Sequence, residues 1–233
     1  MRRFWICCLA GTLCVAATAA AGFLDDARRG RDAQDRKALE AAAAQAAAAA
    51  EKQPQNARAQ YELALVRSYL AEVDTELHDQ AGARKAAEAG IAAAEKAVAG
   101  DAKSAEYHRL LGTLYGQVIP GNLGLALKYG RKTTEELDRA VALDPNNSDA
   151  YLSRGIGKYY LPPMFGGGPE AALEDIRKAI QLNPKSDQAY LWQGIALRKA
   201  NRNREARDSL AQALKLNPQR VWTKQQLDKT PAQ

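Results

Sequence analysis

Leu143-Asp144-Pro145-Asn146-Asn147-Ser148-Asp149-Ala150-Tyr151-Leu152-Ser153-Arg154-Gly155-Ile156 returns 39 residues later as Leu182-Asn183-Pro184-Lys185-Ser186-Asp187-Gln188-Ala189-Tyr190-Leu191-Trp192-Gln193-Gly194-Ile195. A third start, Leu216-Asn217-Pro218, follows 34 residues on. Upstream, Lys103-Ser104 and residues 108–112 echo Lys185-Ser186 and residues 190–194, with Ala102 in the proline's place. Pro54 opens another unit, so the successive spacings are 48, 43, 39 and 34. Self-similarity at such a pitch is the mark of stacked repeats, each one supersecondary unit long.

Each unit reads as two helices. Polar residues after the proline cap a first helix that carries tyrosine or histidine and, four residues later, glycine. In the second helix the apolar positions run Ala172, Ile176, Ala179, Ile180 and Ala206, Leu210, Ala213, Leu214, which is helical spacing. Proline drives the residue before it out of the α region and so ends each pair. Small residues at Gly112, Gly155, Gly194, Ala172, Ala179, Ala206 and Ala213 allow helices to approach closely, while the aromatic position fills what is left.

The pattern resembles the tetratricopeptide repeat (TPR) family. Tyr190, Gly194, Leu197, Ala206, Leu210, Ala213 and Pro218 stand on its large-aromatic, glycine, tyrosine, alanine, phenylalanine, alanine and proline positions. His108, Leu111, Gly112 and Tyr115 match its first helix, and Tyr151, Gly155, Ala172, Ile176, Ala179 and Pro184 match with five extra residues between. The unit after Pro54 keeps Tyr61, Ala64 and Leu65. The resemblance spans residues 56–218 and implies an all-α fold, a right-handed α-solenoid of about four TPR-like helix pairs with flanking N-terminal and C-terminal helices. Pairs of this kind cannot bury their apolar faces alone, so they stack into a superhelix with a concave inner surface.

Composition agrees. Of 233 residues, 46% are hydrophobic, 26% charged and 6% aromatic, with much of the apolar share alanine, the best helix former and a poor strand residue. Seventeen glycines and nine prolines are too few for a collagen-like or low-complexity chain. The net charge of +6 is milder than the concentrated basic face of a nucleic-acid binder, so no nucleic-acid partner is expected.

The two ends read differently. Met1-Arg2-Arg3 precedes an uncharged stretch, residues 4–21, in which Ala17-Thr18-Ala19 and Ala19-Ala20-Ala21 fit an A-x-A cleavage rule. Residues 1–21 are read as a cleavable signal peptide and the protein as periplasmic or secreted. The rival is an uncleaved anchor, because 18 uncharged residues reach the lower limit for a span; membrane contact is expected only through this segment, if uncleaved. Cys7, Cys8 and Cys14 all lie within it, and Gly11-Thr12-Leu13 ahead of Cys14 is not a lipoprotein approach. Cleavage would leave a +4 chain with no cysteine for a disulfide, a nucleophile or a metal site. Residues 22–55 read as a charged linker followed by an alanine-rich helix, an orphan half-repeat with Leu39 its one large apolar residue. Residues 219–233, with Val221, Trp222 and Leu227, read as a polar capping helix and tail.

Several stretches resemble chemistry without its context. Gly124 and Gly130-Arg131-Lys132-Thr133 have the wrong spacing for a phosphate loop and no strand before them; they belong to a long second helix, residues 123–143. Gly155-Ile156-Gly157 lacks a third glycine. His108 occupies the packing slot of Tyr151 and Tyr190, and His78 stands alone. We therefore expect no catalytic set, no metal and no cofactor.

The candidate binding residues come from the family's geometry, which turns the first helices inward. It implies an inner strip of Glu106, Arg109, Thr113 and Gln117, then Asp149, Leu152, Ile156 and Tyr159, then Gln188, Leu191, Ile195 and Lys199. The strip would be apolar in its middle and polar or basic at its ends. It does not reproduce the lysine–asparagine clamp with which cytosolic relatives hold chaperone C-termini. The unit expanded by five residues holds Pro162-Pro163-Met164-Phe165-Gly166-Gly167-Gly168. Met164 and Phe165 are read first as a plug between helices and second as a ligand-gripping loop. The function expected is a non-enzymatic exported scaffold holding a protein or extended peptide in its concave groove. The alternative is a periplasmic small-ligand carrier associated with solute transport, its pocket roofed by the 162–168 loop.

Overall fold

The computed structural model describes residues 11–232, with side chains from residue 22 onward. Residues 1–10 and the side chains of 11–21, which hold most of the expected signal peptide, lie outside that description. The helices are α1 (Gly11–Ala33), α2 (Arg36–Lys52), α3 (Ala57–Glu76), α4 (Gln80–Gly100), α5 (Ala105–Gln117) and α6 (Leu123–Leu143). They continue as α7 (Ser148–Tyr160), α8 (Pro169–Leu182), α9 (Asp187–Lys199), α10 (Asn203–Leu216) and α11 (Val221–Asp228), with a 3-10 turn at Pro163–Phe165. Among the described residues there is no strand, and no helix is long and apolar enough to cross a membrane.

The repeated polar residues make the turns. Asn56, Ser104, Asn147 and Ser186 cap α3, α5, α7 and α9 by accepting from backbone N–H groups two or three residues on. At the other end of each pair, Asp101, Asp144, Asn183 and Asn217 each accept from the N–H two residues on, at 3.0 to 3.2 Å. These Asx turns explain why Asp or Asn stands before Pro145, Pro184 and Pro218, and before Ala102 in the proline's place.

Helices α3/α4, α5/α6, α7/α8 and α9/α10 are the four TPR-like pairs of a right-handed solenoid. The first helices α1, α3, α5 and α7 also pack on one another in sequence and form the inner wall, with α2, α4, α6, α8 and α10 outside. Glycine permits the tight pairs: a Cβ on Gly194 would stand 2.5 Å from Leu210 and 3.0 Å from the Ala206 carbonyl. On Gly155 it would meet Ile176 at 2.9 Å. Two apolar clusters result. One runs from Phe23 through Leu39, Val66, Ile91 and Leu114, and the other from Leu152 through Ile176, Leu191 and Leu210. The seam between them is partly ionic. Arg154 donates to Asp138 at 3.1 Å and to both oxygens of Asp175 at 2.7 and 2.8 Å, and Lys158 joins Asp175 at 2.9 Å. Burial works against the Asp175 charge, yet Arg154 and Lys158 hold its pKa below the ordinary value.

Both termini correct the sequence reading. Residues 22–33 are not a charged linker but the packed part of α1. Phe23, Ala27 and Gly30 are buried along one face while Asp25, Asp26, Arg28 and Arg29 stay in solvent. Helix α2 is therefore no orphan. It pairs with α1 and buries Leu39, Ala42, Ala43, Ala46 and Ala50. At the other end α11 does more than cover α10. Arg220, completely buried, donates to the Arg31 carbonyl at 2.7 Å, to Glu72 at 2.7 Å and to Glu76. Asn217 donates to Asp32 and Asp187 at 3.0 Å, and Gln225 to Gln34 at 3.0 Å. The last helix thus meets the first and third, and the solenoid closes on itself.

Candidate inner-wall binding site

The first turn of α5 carries the most connected cluster. Tyr61 on α3 donates to Glu106 at 2.7 Å, and Arg109 forks onto the same carboxylate at 2.8 and 2.5 Å. Arg109 reaches on to Ser153 of α7 at 3.3 Å. Burial disfavours the Glu106 charge, but Arg109 and the Tyr61 hydroxyl hold its pKa below the usual value. Burial, and Glu106 after it, pushes the Tyr61 phenol up. Gln117 exchanges two bonds with Ser68, at 3.0 and 3.1 Å, and Thr113 donates to the Arg109 carbonyl at 2.9 Å. Glu106, Arg109 and Gln117 therefore spend their polar groups on joining α3, α5 and α7.

The expected apolar middle is a correction. Leu152, Leu191 and Ile195 are buried in the second core cluster and offer no exposed strip. Their cluster takes in residues of α8, α9 and α10, with Trp222 and Leu227 of α11 packed against it. Sequence spacing places them on the inner side but cannot say how far neighbouring helices close over that side. Ile156 is half-buried against the same cluster.

What stays accessible lies between α7 and α9. Tyr159 and Tyr160 pack edge-on against Trp192, with ring centres 5.8 and 6.1 Å away. Exposed Lys199 donates to the Tyr159 carbonyl at 3.1 Å and holds its ammonium 4.1 Å from the Tyr159 ring centre, a cation–π geometry. Asp149 is exposed at the far end. Gln188 is half-buried, and its amide nitrogen is buried with no hydrogen-bond partner. The structure thus brings Ile156, Tyr159, Gln188 and Lys199 to one side and leaves Met164 and Phe165 apart.

Those two residues do not plug a hole: Met164 is 83% exposed and Phe165 65%. The loop satisfies itself instead. Phe165 and Gly167 donate to the Pro162 carbonyl at 2.9 and 3.2 Å, and Gly168 to the Lys158 carbonyl at 2.8 Å. Gly166 takes a left-handed φ of 81° and Gly168 one of 108°, which glycine adopts without strain. With its backbone turned inward on itself, the loop sends its side chains out. A cavity of about 260 Å³ lies elsewhere, lined by Thr75, His78, Gln80, Ala83, Arg84, Gln117, Val118 and Pro120, and takes nothing from the loop. His108 packs as expected: its ring meets Glu136 at 2.5 Å and the Ala102 carbonyl at 3.0 Å. Among the described residues no group of three His, Cys, Asp or Glu is placed to hold a metal ion.

Sequence reasoning missed the Arg220 joint. Its parts, Glu72 and Glu76 one turn apart on α3 and Arg220 ahead of α11, look like solvated charges when read singly. The signal that could have found it was the run Phe23, Ala27, Gly30, Arg31, which has helical spacing and marks α1 as a packed helix.

No protein-family model and no curated protein matches the chain. Solved structures share its architecture. A thermophilic TPR protein of Thermus thermophilus aligns with a TM-score of 0.69 at 16% identity, over 92% of this chain and 97% of that one. The HusA haemophore from Porphyromonas gingivalis aligns with a TM-score of 0.59 at 18% identity, over 82% and 95%. At these identities the likeness is one of fold, and it agrees with the helix pairs described above: this is a TPR-type α-solenoid.

Proposed function

We propose that the protein is an exported, non-enzymatic scaffold that holds an extended segment of a protein partner against the inner wall between α7 and α9. The observation that carries this is the accessible edge at the C-terminal ends of α7 and α9, where exposed Lys199 lies over the half-buried Tyr159 ring beside exposed Tyr160. An extended peptide can lay apolar side chains against these rings, and Lys199 gives salt-sensitive steering. Export rests on the leader-like first 21 residues. The small-ligand alternative has less support, because the 162–168 loop roofs neither this strip nor the 260 Å³ cavity. Panning a random peptide library on the full chain, followed by calorimetry of the best binder, tests the reading. Tyr160→Ser and Lys199→Glu should each weaken that peptide about tenfold or more, with Glu51→Ala as an unaffected control. Equal affinity across all four proteins would remove the inner-wall site.

A further inference from the structure

Consecutive helices of a solenoid alternate in direction, so the turns inside each pair gather on one rim and the turns between pairs on the other. Among the described residues, the exposed large apolar side chains are Leu77, Leu123, Leu127, Tyr160, Met164 and Phe165. Every one lies at a turn inside a pair: Leu77 between α3 and α4, Leu123 and Leu127 in the first two turns of α6, and the others at the α7–α8 loop. The opposite rim has none of them.

Charge divides the same way in three segments, although Asp35, Glu170 and Glu205 are exposed acids at turns on the apolar rim. Residues 107–134, 150–169 and 188–204 contain no Asp or Glu at all. Each of these segments runs along a first helix and through the turn on the apolar rim. They place Lys128, Arg131, Lys132, Lys199 and Arg204 there, all exposed. By contrast residues 135–149, which lead to the opposite rim, hold Glu135, Glu136, Asp138, Asp144 and Asp149 against the single base Arg139. These apolar tips stand at separate turns, on either side of the 260 Å³ cavity between the α3–α4 and α5–α6 turns, and those of α6 have exposed bases beside them. They match a flat anionic surface that accepts apolar side chains to a shallow depth.

We propose that this rim docks on an anionic lipid surface, with Phe165, Met164, Leu123 and Leu127 entering the headgroup boundary and the neighbouring bases meeting lipid phosphates. This goes beyond the peptide site, which runs along the inner wall and meets this rim only at Tyr160 and Lys199, and beyond the expectation that only the leader segment meets a membrane. The well-satisfied backbone of the 162–168 loop suits it to hold two exposed side chains at a tip.

Flotation of the full chain with phosphatidylcholine vesicles, with and without phosphatidylglycerol, tests the proposal. The parent should co-float with the anionic vesicles, about tenfold more than with neutral ones, and the excess should fall in high salt. Leu127→Ser with Phe165→Ser, and separately Lys128→Glu with Arg131→Glu, should each lower binding about tenfold or more. Lys103→Glu with Lys185→Glu on the opposite rim should leave it unchanged. All these residues are exposed, so the variants should melt with the parent. Because every variant keeps residues 4–21, binding that survives both rim variants would assign it to that segment and overturn the proposal. Equal flotation with neutral and anionic vesicles would overturn it as well, and so would a rim that drives only self-association in the absence of lipid.

Discussion

Replacing Arg220 by methionine tests whether closure of the solenoid stabilises it. The guanidinium is completely buried and serves Glu72, Glu76 and the Arg31 carbonyl at once. Methionine keeps part of the aliphatic volume and removes every donor. Glu72 would then lose its cation, and Glu76, already pushed up by burial and by Glu72, would hold a proton in its place. Breaking a buried ion pair on one side costs about 3 to 5 kcal/mol. Glu72 keeps 23% side-chain exposure, so water screens part of the loss and the lower half of the range, about 3 to 4 kcal/mol, is the better expectation. For a chain of this size each kcal/mol moves the melting point by about 2 to 4 °C. Arg220→Met should therefore lower it by roughly 6 to 16 °C. Because the joint links α11 to α1 and α3, the loss should also broaden the transition, as the ends of an opened array unfold ahead of its middle. Circular dichroism through a thermal ramp near neutral pH reads both effects. Arg29→Met, exposed and paired only with exposed Asp26, is the control. A melting point for Arg220→Met within about 2 °C of the parent, with an unchanged slope, would refute the closed-array reasoning.

Ile176→Ala should cost about 2 to 5 kcal/mol, because Ile176 is fully buried in the second core, whereas exposed Glu51→Ala should cost almost nothing; equal denaturant midpoints would overturn the helix register. Gly194→Ala should destabilise by about 1 to 3 kcal/mol, since its methyl would stand 2.5 Å from Leu210, and an unchanged midpoint would mean that α9 and α10 are less closely apposed. Burial first, and then the neighbouring Glu72, push the Glu76 carboxyl up to about 7 against the pull of Arg220, from an ordinary value near 4.5. The folded chain keeps that proton where the unfolded chain gives it up, so this contribution favours the fold at low pH and is lost as pH rises through about 7. Glu76→Gln should then gain melting temperature relative to the parent as pH rises from about 5 to about 8, and a constant difference would contradict it. N-terminal sequencing of the exported protein should begin after one of Ala19, Ala20 or Ala21; a chain still starting at Arg2 would favour an anchor.

The repeat units were legible because they are written in local chemistry. Asn or Asp before proline makes the turn, glycine at 112, 155 and 194 admits the facing helix, and alanine with leucine or isoleucine at helical spacing marks the buried face. Each of these depends on neighbours a few residues away, so a linear reading finds it. Helix α6 was readable for the same reason, and its glycines turned out to be helical positions rather than a phosphate loop. The packed part of α1 was missed because Asp25, Asp26, Arg28, Arg29, Arg31 and Asp32 outweigh Phe23 and Ala27 in composition, although only the face holding the latter decides packing.

Sequence alone therefore determined the helix pairs from α3 to α10 and their order. It could not determine how far the pairs curl. That angle is the sum of small rotations at every interface, and each interface is set by side chains far apart in the chain. Only the tertiary structure shows the curl carrying α11 back to α1, burying Arg220 between Glu72 and Glu76. Packing with α8, α10 and α11 encloses Leu152, Leu191 and Ile195, so an apolar strip that spacing alone would leave open becomes core. The curl also sets the turns inside the pairs side by side, which turns scattered leucines, a Met-Phe loop and single basic residues into one rim.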